Sequence, residues 1–221
     1  MSYQQPSTLH SPSCRPTRSL VALAMLALVF AISLVASTAS ATVMKYADLE
    51  GLIEISDIIV EGSVAEQKVY FDEAQGRVVT DTTFKIERKF LGEVDSKVTI
   101  QQWQGTHKGI TTQIPGDPNF DKGESVIVFL HRGPDGVVAL SAMAQSKFSI
   151  FPTAQGKLVS RNFSDLSILL DDAALKKLVA PAKNEPSAGQ IVKLPKETRS
   201  YESFVAELES LIAGIKGGTN D

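Results

Sequence analysis

Apolar and polar residues alternate from Val78 to Glu87. Val78, Thr80, Thr82, Phe84 and Ile86 fall on one face, and Val79, Asp81, Thr83, Lys85 and Glu87 on the other. A period of two over this length predicts a β-strand with one face turned to a core. Asp57–Tyr70, rich in Ile and Val, predicts the strand before it, with Gly62 marking a bulge or a tight bend. Asp72-Glu73-Ala74-Gln75-Gly76 reads as the hairpin loop between them. Lys97–Gln102 predicts a third strand with Val98 and Ile100 inward. Ser125–His131 is nearly all apolar, the mark of a strand covered on both faces. Gly133-Pro134-Asp135-Gly136 is a turn, after which Val137–Ala144 and Lys147–Phe151 predict one long bent fifth strand and Lys157–Ser160 a short sixth. Gly105–Asn119, with three glycines and two prolines, is expected as a loop.

Helical spacing appears at both ends. Tyr46, Leu49, Leu52 and Ile53 share a face within Met44–Asp57. Asp165–Ala180 is expected as a helix ended by Pro181, and 181–199, with its prolines and lysines, as a linker. Ser200–Lys216 carries the clearest stripe, from Tyr201, Phe204, Val205, Leu208, Leu211, Ile212 and Ile215. Ser200 is placed to cap it and Gly217-Gly218 to stop it. The expected fold is mainly β: a five-stranded barrel of the oligonucleotide/oligosaccharide-binding (OB) type over 42–164, with a short N-terminal helix and C-terminal helices over 165–221. Closure of a barrel removes aggregation-prone edges. A small β-sandwich is the alternative.

The first 41 residues read as a signal peptide. Arg15 and Arg18 precede an apolar run from Leu20 to Val35, and Ala39 and Ala41 are the small residues of a cleavage site. The chain is therefore expected to be exported, to the periplasm or the medium, with Thr42 as its new N-terminus. An uncleaved membrane anchor is the alternative, since the run approaches the ~18–20 residues of a spanning helix. Cys14, the single cysteine of 221 residues, lies in the leader, so the processed form is expected to be cysteine-free. Cleavage also removes two arginines and no acid, taking the net charge from −3 to −5. That balance argues against nucleic acid, which needs a basic groove. The acidic polar side of the last helix, with Glu202, Glu207 and Glu209, argues against membrane insertion after cleavage.

Asp57-Ile58-Ile59-Val60-Glu61-Gly62-Ser63-Val64, Thr82-Thr83-Phe84-Lys85-Ile86, Phe90-Leu91-Gly92, Ile114-Pro115-Gly116-Asp117-Pro118-Asn119-Phe120 and Gly123-Glu124-Ser125-Val126-Ile127-Val128-Phe129-Leu130 together resemble a group of uncharacterised exported bacterial proteins. Their β-domain looks like the OB-type barrel of netrin modules and of the tissue inhibitors of metalloproteinases. The resemblance spans roughly residues 45–151 and implies a fold rather than an activity. The inhibitors chelate their target's zinc through a disulfide-bonded N-terminal cysteine. Thr42 stands at that place here, so that chemistry does not carry over.

Candidate chemistry is thin. His107 and His131 lack the spacing of a zinc site, and no metal and no cofactor is expected. Asp117, Asn119 and Asp121 open like a calcium loop, yet Lys122 stands where glycine is needed and Val128 where a bidentate glutamate belongs. Gly105-Thr106-His107-Lys108-Gly109 lacks the spacing of a phosphate loop. Trp103, flanked by Gln101, Gln102 and Gln104, either forms a stacking platform for sugar or peptide or packs under a neighbouring element. The expected function is an exported, non-catalytic binding or interaction module with a protein or glycan partner in the cell envelope, contacted through Trp103, His107 and Lys108. No catalytic residue is assigned. The alternative is a periplasmic hydrolase with a Ser-His-Asp arrangement assembled only in space.

Overall fold

The computed structural model describes residues 43–163, 166–171, 174 and 191–217, all within one unit, Ser40–Asp221. Among them β1 (Val43–Lys45) and α1 (Leu49–Glu54) precede the long pair β2 (Ile58–Asp72) and β3 (Arg77–Leu91). Then come β4 (Lys97–Gln102), β5 (Gly105–His107), β6 (Ile110–Thr112), β7 (Ser125–Arg132), β8 (Val138–Leu140), β9 (Lys147–Thr153) and β10 (Gly156–Arg161). The described chain ends with β11 (Ser167–Leu169), β12 (Ile191–Val192), β13 (Glu197–Ser200) and α2 (Tyr201–Gly217). The domain is mainly β, with a helix near each end.

The main sheet runs β13-β10-β9-β7-β2-β3-β4, with β8 also paired to β7. β2 and β3 pair antiparallel from Ile59↔Leu91 to Asp72↔Arg77, and three register shifts interrupt the ladder. The shift between Val64 and Glu66 matters most. Inserting one residue into a strand exchanges its two faces. Gln67 thereby comes to lie opposite Thr82 on the inward side, and the charged Glu66 and Lys68 point outward.

Both faces of the sheet are buried at its centre, as the apolar run of β7 predicts. Ile58, Val60, Phe84, Ile100, Val126 and Val128 form one cluster on one side, with Phe120 closing over Phe84 edge-on at 5.1 Å. On the other side Ile59, Ile127, Phe129 and Phe148 pack against Leu52 and Ile53 of α1 and against Phe204, Val205, Leu208 and Ile212 of α2. The α2 stripe is therefore docked. Ser200 Oγ accepts from the Ser203 N–H at 3.1 Å, the expected cap. A third cluster gathers Phe163, Leu166, Ile168 and Leu170 beside β1.

Several expectations are corrected. The sheet is not a closed five-stranded barrel. β4 and β8 approach with Cα atoms within 8 Å, but no ladder joins them. The cause lies in β7, which pairs with β9 over Val126–Val128 and with the three-residue β8 over Leu130–Arg132. The sheet thus continues outward through β9, β10 and β13 instead of returning to β4. The expected helix at 165–180 contains strand β11, parallel to β1, because Leu166, Ile168 and Leu170 are buried at a period of two. The described part of the expected linker holds β12 and β13, the latter paired with β10. The expectation of a cysteine-free mature chain is corrected as well, since the chain carries Cys14. Cys14, the leader and 181–190 lie outside the described residues.

Candidate functional site

Beyond Phe84 and Ile100 the inward face of the β2–β3–β4 region changes character. Thr82, Thr80, Gln102 and Gln104 take the inward positions where valine or isoleucine would continue the core, and all are buried. Polar groups at such depth need partners, and here the partners are largely backbone. Gln67 Nε2 donates to the Phe120 carbonyl at 3.1 Å. Gln102 Nε2 and Gln104 Nε2 both donate to the Pro118 carbonyl, at 3.0 and 3.2 Å. The Thr80 hydroxyl donates to the Gln104 carbonyl at 2.6 Å. Three carboxamides, from β2, β4 and the link that follows β4, thus pin the segment 118–120 across the sheet.

The expected loop at 105–119 is half ordered as a hairpin. β5 and β6 pair antiparallel around a two-residue turn in which Lys108 and Gly109 both have positive φ, 48° and 82°. Such turns match the twist of paired strands, and the usual asparagine-glycine signal is replaced here by Lys-Gly. Gly105 has φ 122°, and a Cβ there would lie 2.8 Å from both Thr80 Oγ1 and Val69 Cγ1. Only glycine lets the hairpin leave the sheet so closely. Gly116, at φ 92°, lies so close against Leu166 that a Cβ would clash with it, and its carbonyl accepts from the Ala144 N–H at 3.1 Å.

Between hairpin, pinned segment and sheet lies a cleft of about 390 Å³, within the usual range for ligand pockets. Gln67, Thr80, Gln104, Thr106, Thr111, Thr112, Gln113 and Asn119 line it, with Val69, Gly105 and Phe120. No ionisable side chain is among them. Beside it, burial pushes the Asp117 carboxyl up to about 6, with the Gln102 amide pulling the other way. Gln102 Oε1 is buried without a hydrogen-bond partner.

The residues singled out from sequence are not gathered in this cleft. Trp103 lies on the outward face, opposite to Val98 and Ile100, 43% exposed, with the Arg77 guanidinium 4.1 Å from its ring centre. Tyr70 shares that face; its hydroxyl accepts from Gln101 Nε2 at 3.1 Å and donates to Asp81 at 3.4 Å. His107 pairs with Ile110 on β5, and Lys108 forms the hairpin turn. His131 sits on β7 opposite Ala139. Among the described residues no hydrogen bond joins either histidine to a serine or a carboxylate, and no three potential metal ligands cluster. Glu124, in the calcium-like segment, is occupied otherwise. It accepts from the Ser149 hydroxyl at 2.6 Å and pairs with the Lys147 ammonium at 2.8 Å. No helix among the described residues is long and apolar enough to cross a membrane.

No protein-family model, curated protein or solved structure matches this chain.

Proposed function

We propose that the protein is an exported, non-catalytic binding module that uses the cleft under the β5–β6 hairpin to hold an uncharged, hydrogen-bonding partner. A glycan or an extended peptide of the cell envelope fits that description. The observation that carries this reading is the lining itself. Amide and hydroxyl groups occupy strand positions that the fold could have filled with apolar side chains, and no charge competes with them. Loops and hairpins held on a rigid sheet are common places for binding. The strand order β4-β3-β2-β7, with β8 on β7 and alongside β4, supports reading the sheet as an opened relative of the OB-type barrel of netrin-like domains. Export rests on the leader, and mass spectrometry of protein recovered from the envelope or medium should find Thr42 as the first residue.

The test uses two exposed threonines at the cleft. Immobilised wild-type chain is compared with Thr111→Arg and with Thr106→Arg in retention of purified envelope glycans and of a peptide library. Retention by wild type and its loss in both variants, with unchanged melting, is expected. Equal retention by all three, or by none, would overturn the reading.

A hydrolase is the second reading, and one contact favours it. Ser149, bonded to Glu124, lines a cavity of about 260 Å³ together with Lys147. A carboxylate in contact with a serine hydroxyl is an arrangement from which proton abstraction can begin. Ester hydrolysis by wild type that Ser149→Ala abolishes would establish this reading in place of the first.

A further inference from the structure

We propose that a second cavity, between α1, the sheet and α2, binds a small organic carboxylate with an apolar body. The site is built on Arg161, at the end of β10, which is 3% exposed. Its guanidinium lies among three rings, at 4.7 Å from the centre of Phe163, 5.2 Å from Phe148 and 5.6 Å from Tyr46. Nε donates to the Gln145 carbonyl at 2.8 Å and Nη2 to the Ala47 carbonyl at 2.6 Å.

Neutral carbonyls satisfy protons but do not balance a charge. A buried cation ordinarily has an anion beside it, because removing it from water is costly. Among the described residues no carboxylate forms an ion pair with Arg161; Tyr46, Glu197 and Asp48 act on it electrostatically. The guanidinium instead lines a cavity of about 370 Å³. Arg199 lines the same cavity. Its Nη2 pairs with Glu207 at 2.5 Å, while its Nε is buried without an acceptor. Two observations therefore point the same way: a buried cation in no ion pair and a buried donor without an acceptor, both bordering one space.

The walls select the class of anion. Leu49, Phe148, Val159 and Phe204 supply apolar surface for a hydrocarbon or aromatic body. Asp48, Glu197 and Glu207 also border the cavity, so a phosphate dianion would meet like charge. A carboxylate carries a single charge and presents two oxygens to the planar guanidinium fork. This cavity shares no lining residue with the hairpin cleft, so the two sites stand or fall separately.

Calorimetric titration of the full chain tests the assignment. Phenylacetate should bind at one site with a dissociation constant of roughly 1 mM or tighter and raise the melting temperature. Phenylacetamide, with the same shape and no charge, and inorganic phosphate should each bind at least ~10-fold more weakly. Leu49 is half-buried in the cavity wall. Leu49→Trp, which fills the cavity without changing its charge, should fold like wild type and lose phenylacetate binding by ~10-fold or more. Arg161→Lys, which keeps the charge without the fork, should weaken it comparably. If Arg161→Lys does not fold, Leu49→Trp decides alone. N-acetylphenylalanine distinguishes the source: tighter binding than phenylacetate assigns the site to a peptide C-terminus, and weaker binding assigns it to a free acid. No binding of phenylacetate at ~10 mM, equal binding of the amide or of phosphate, or undiminished binding by Leu49→Trp would each overturn the proposal.

Discussion

Replacing Leu208 with alanine should cost this protein a large part of its stability. Leu208 is completely buried, in the cluster that joins α2 to Leu52, Ile127 and Phe148. Truncating an enclosed leucine loses its transfer free energy and leaves a cavity, about 2–5 kcal/mol in total, with the larger values where the surroundings cannot collapse. The helix has little freedom to close the gap. Its start is held by the Ser200 cap and by the Tyr201 hydroxyl, which donates to Glu61 Oε2 at 2.7 Å; its middle is tied by the Glu209–Arg88 ion pair. The upper half of the range, about 3–5 kcal/mol, is therefore expected. For a unit the size of Ser40–Asp221 each kcal/mol moves the melting temperature by about 2–4 °C, so the shift should be roughly 6–20 °C. Differential scanning calorimetry reads it directly, with exposed Ser210→Ala as the control that stays near wild type. Leu208→Asp should not fold at all. A Leu208→Ala melting point within ~2 °C of wild type would mean that α2 is not docked as described.

Two further perturbations probe single interactions. Asp117, raised to about 6 by burial, favours the folded state when protonated. Its contribution is complete below pH ~4, the ordinary carboxylate value, and is lost as pH rises through ~6. Asp117→Asn, which keeps the neutral form, should match wild type in urea unfolding near pH 3.5 and exceed it at pH 7 by no more than about 3 kcal/mol; an unchanging difference between the two pH values would refute the shift. Tyr201→Phe removes the donor to Glu61, which is 5% exposed. It should cost about 1–3 kcal/mol, the usual penalty for stranding a buried acceptor, and chemical denaturation of Glu61→Gln beside it checks that the loss belongs to that contact.

Where a periodic pattern ran long, the fold was legible. The alternation of β3, the apolar run of β7 and the seven-residue stripe of α2 each impose one arrangement, because any other would leave their apolar faces in water. Where patterns were short or overlapped, legibility failed. Leu166, Ile168 and Leu170 alternate as a strand, but Leu169, Leu175 and Leu178 also fit a helix, and only the presence of β1 as a parallel partner decides for the strand. The open sheet was likewise invisible. Its cause is a choice of partner by β7, which changes from β9 to β8 within three residues. Local pattern records which face of a strand is apolar, and it does not record which strand lies beside it.

The candidate site was legible in principle, but in a signal other than reactive-residue motifs. Histidine, tryptophan and Gly-Lys attract attention because they carry reactive groups, yet here they occupy a hairpin and an outward face. The informative residues were threonines and glutamines at inward positions: Thr80 and Thr82 in line with Phe84, and Gln102 and Gln104 in line with Ile100. A polar residue at a core position costs stability unless something receives its hydrogen bonds. A run of them on two neighbouring strands therefore marks a place where the core gives way to a polar surface. The same reasoning applies with more force to Arg161, in line with Val159 on β10 and buried among aromatic rings. Gln67 stood outside any such reading, because its face depends on a register shift at Val64–Glu66 that no alternation announces. Without that shift Glu66 would face Thr82, and the cleft would carry a negative charge. The neutrality of the cleft, and with it the class of partner proposed for it, thus depends on one inserted residue in β2.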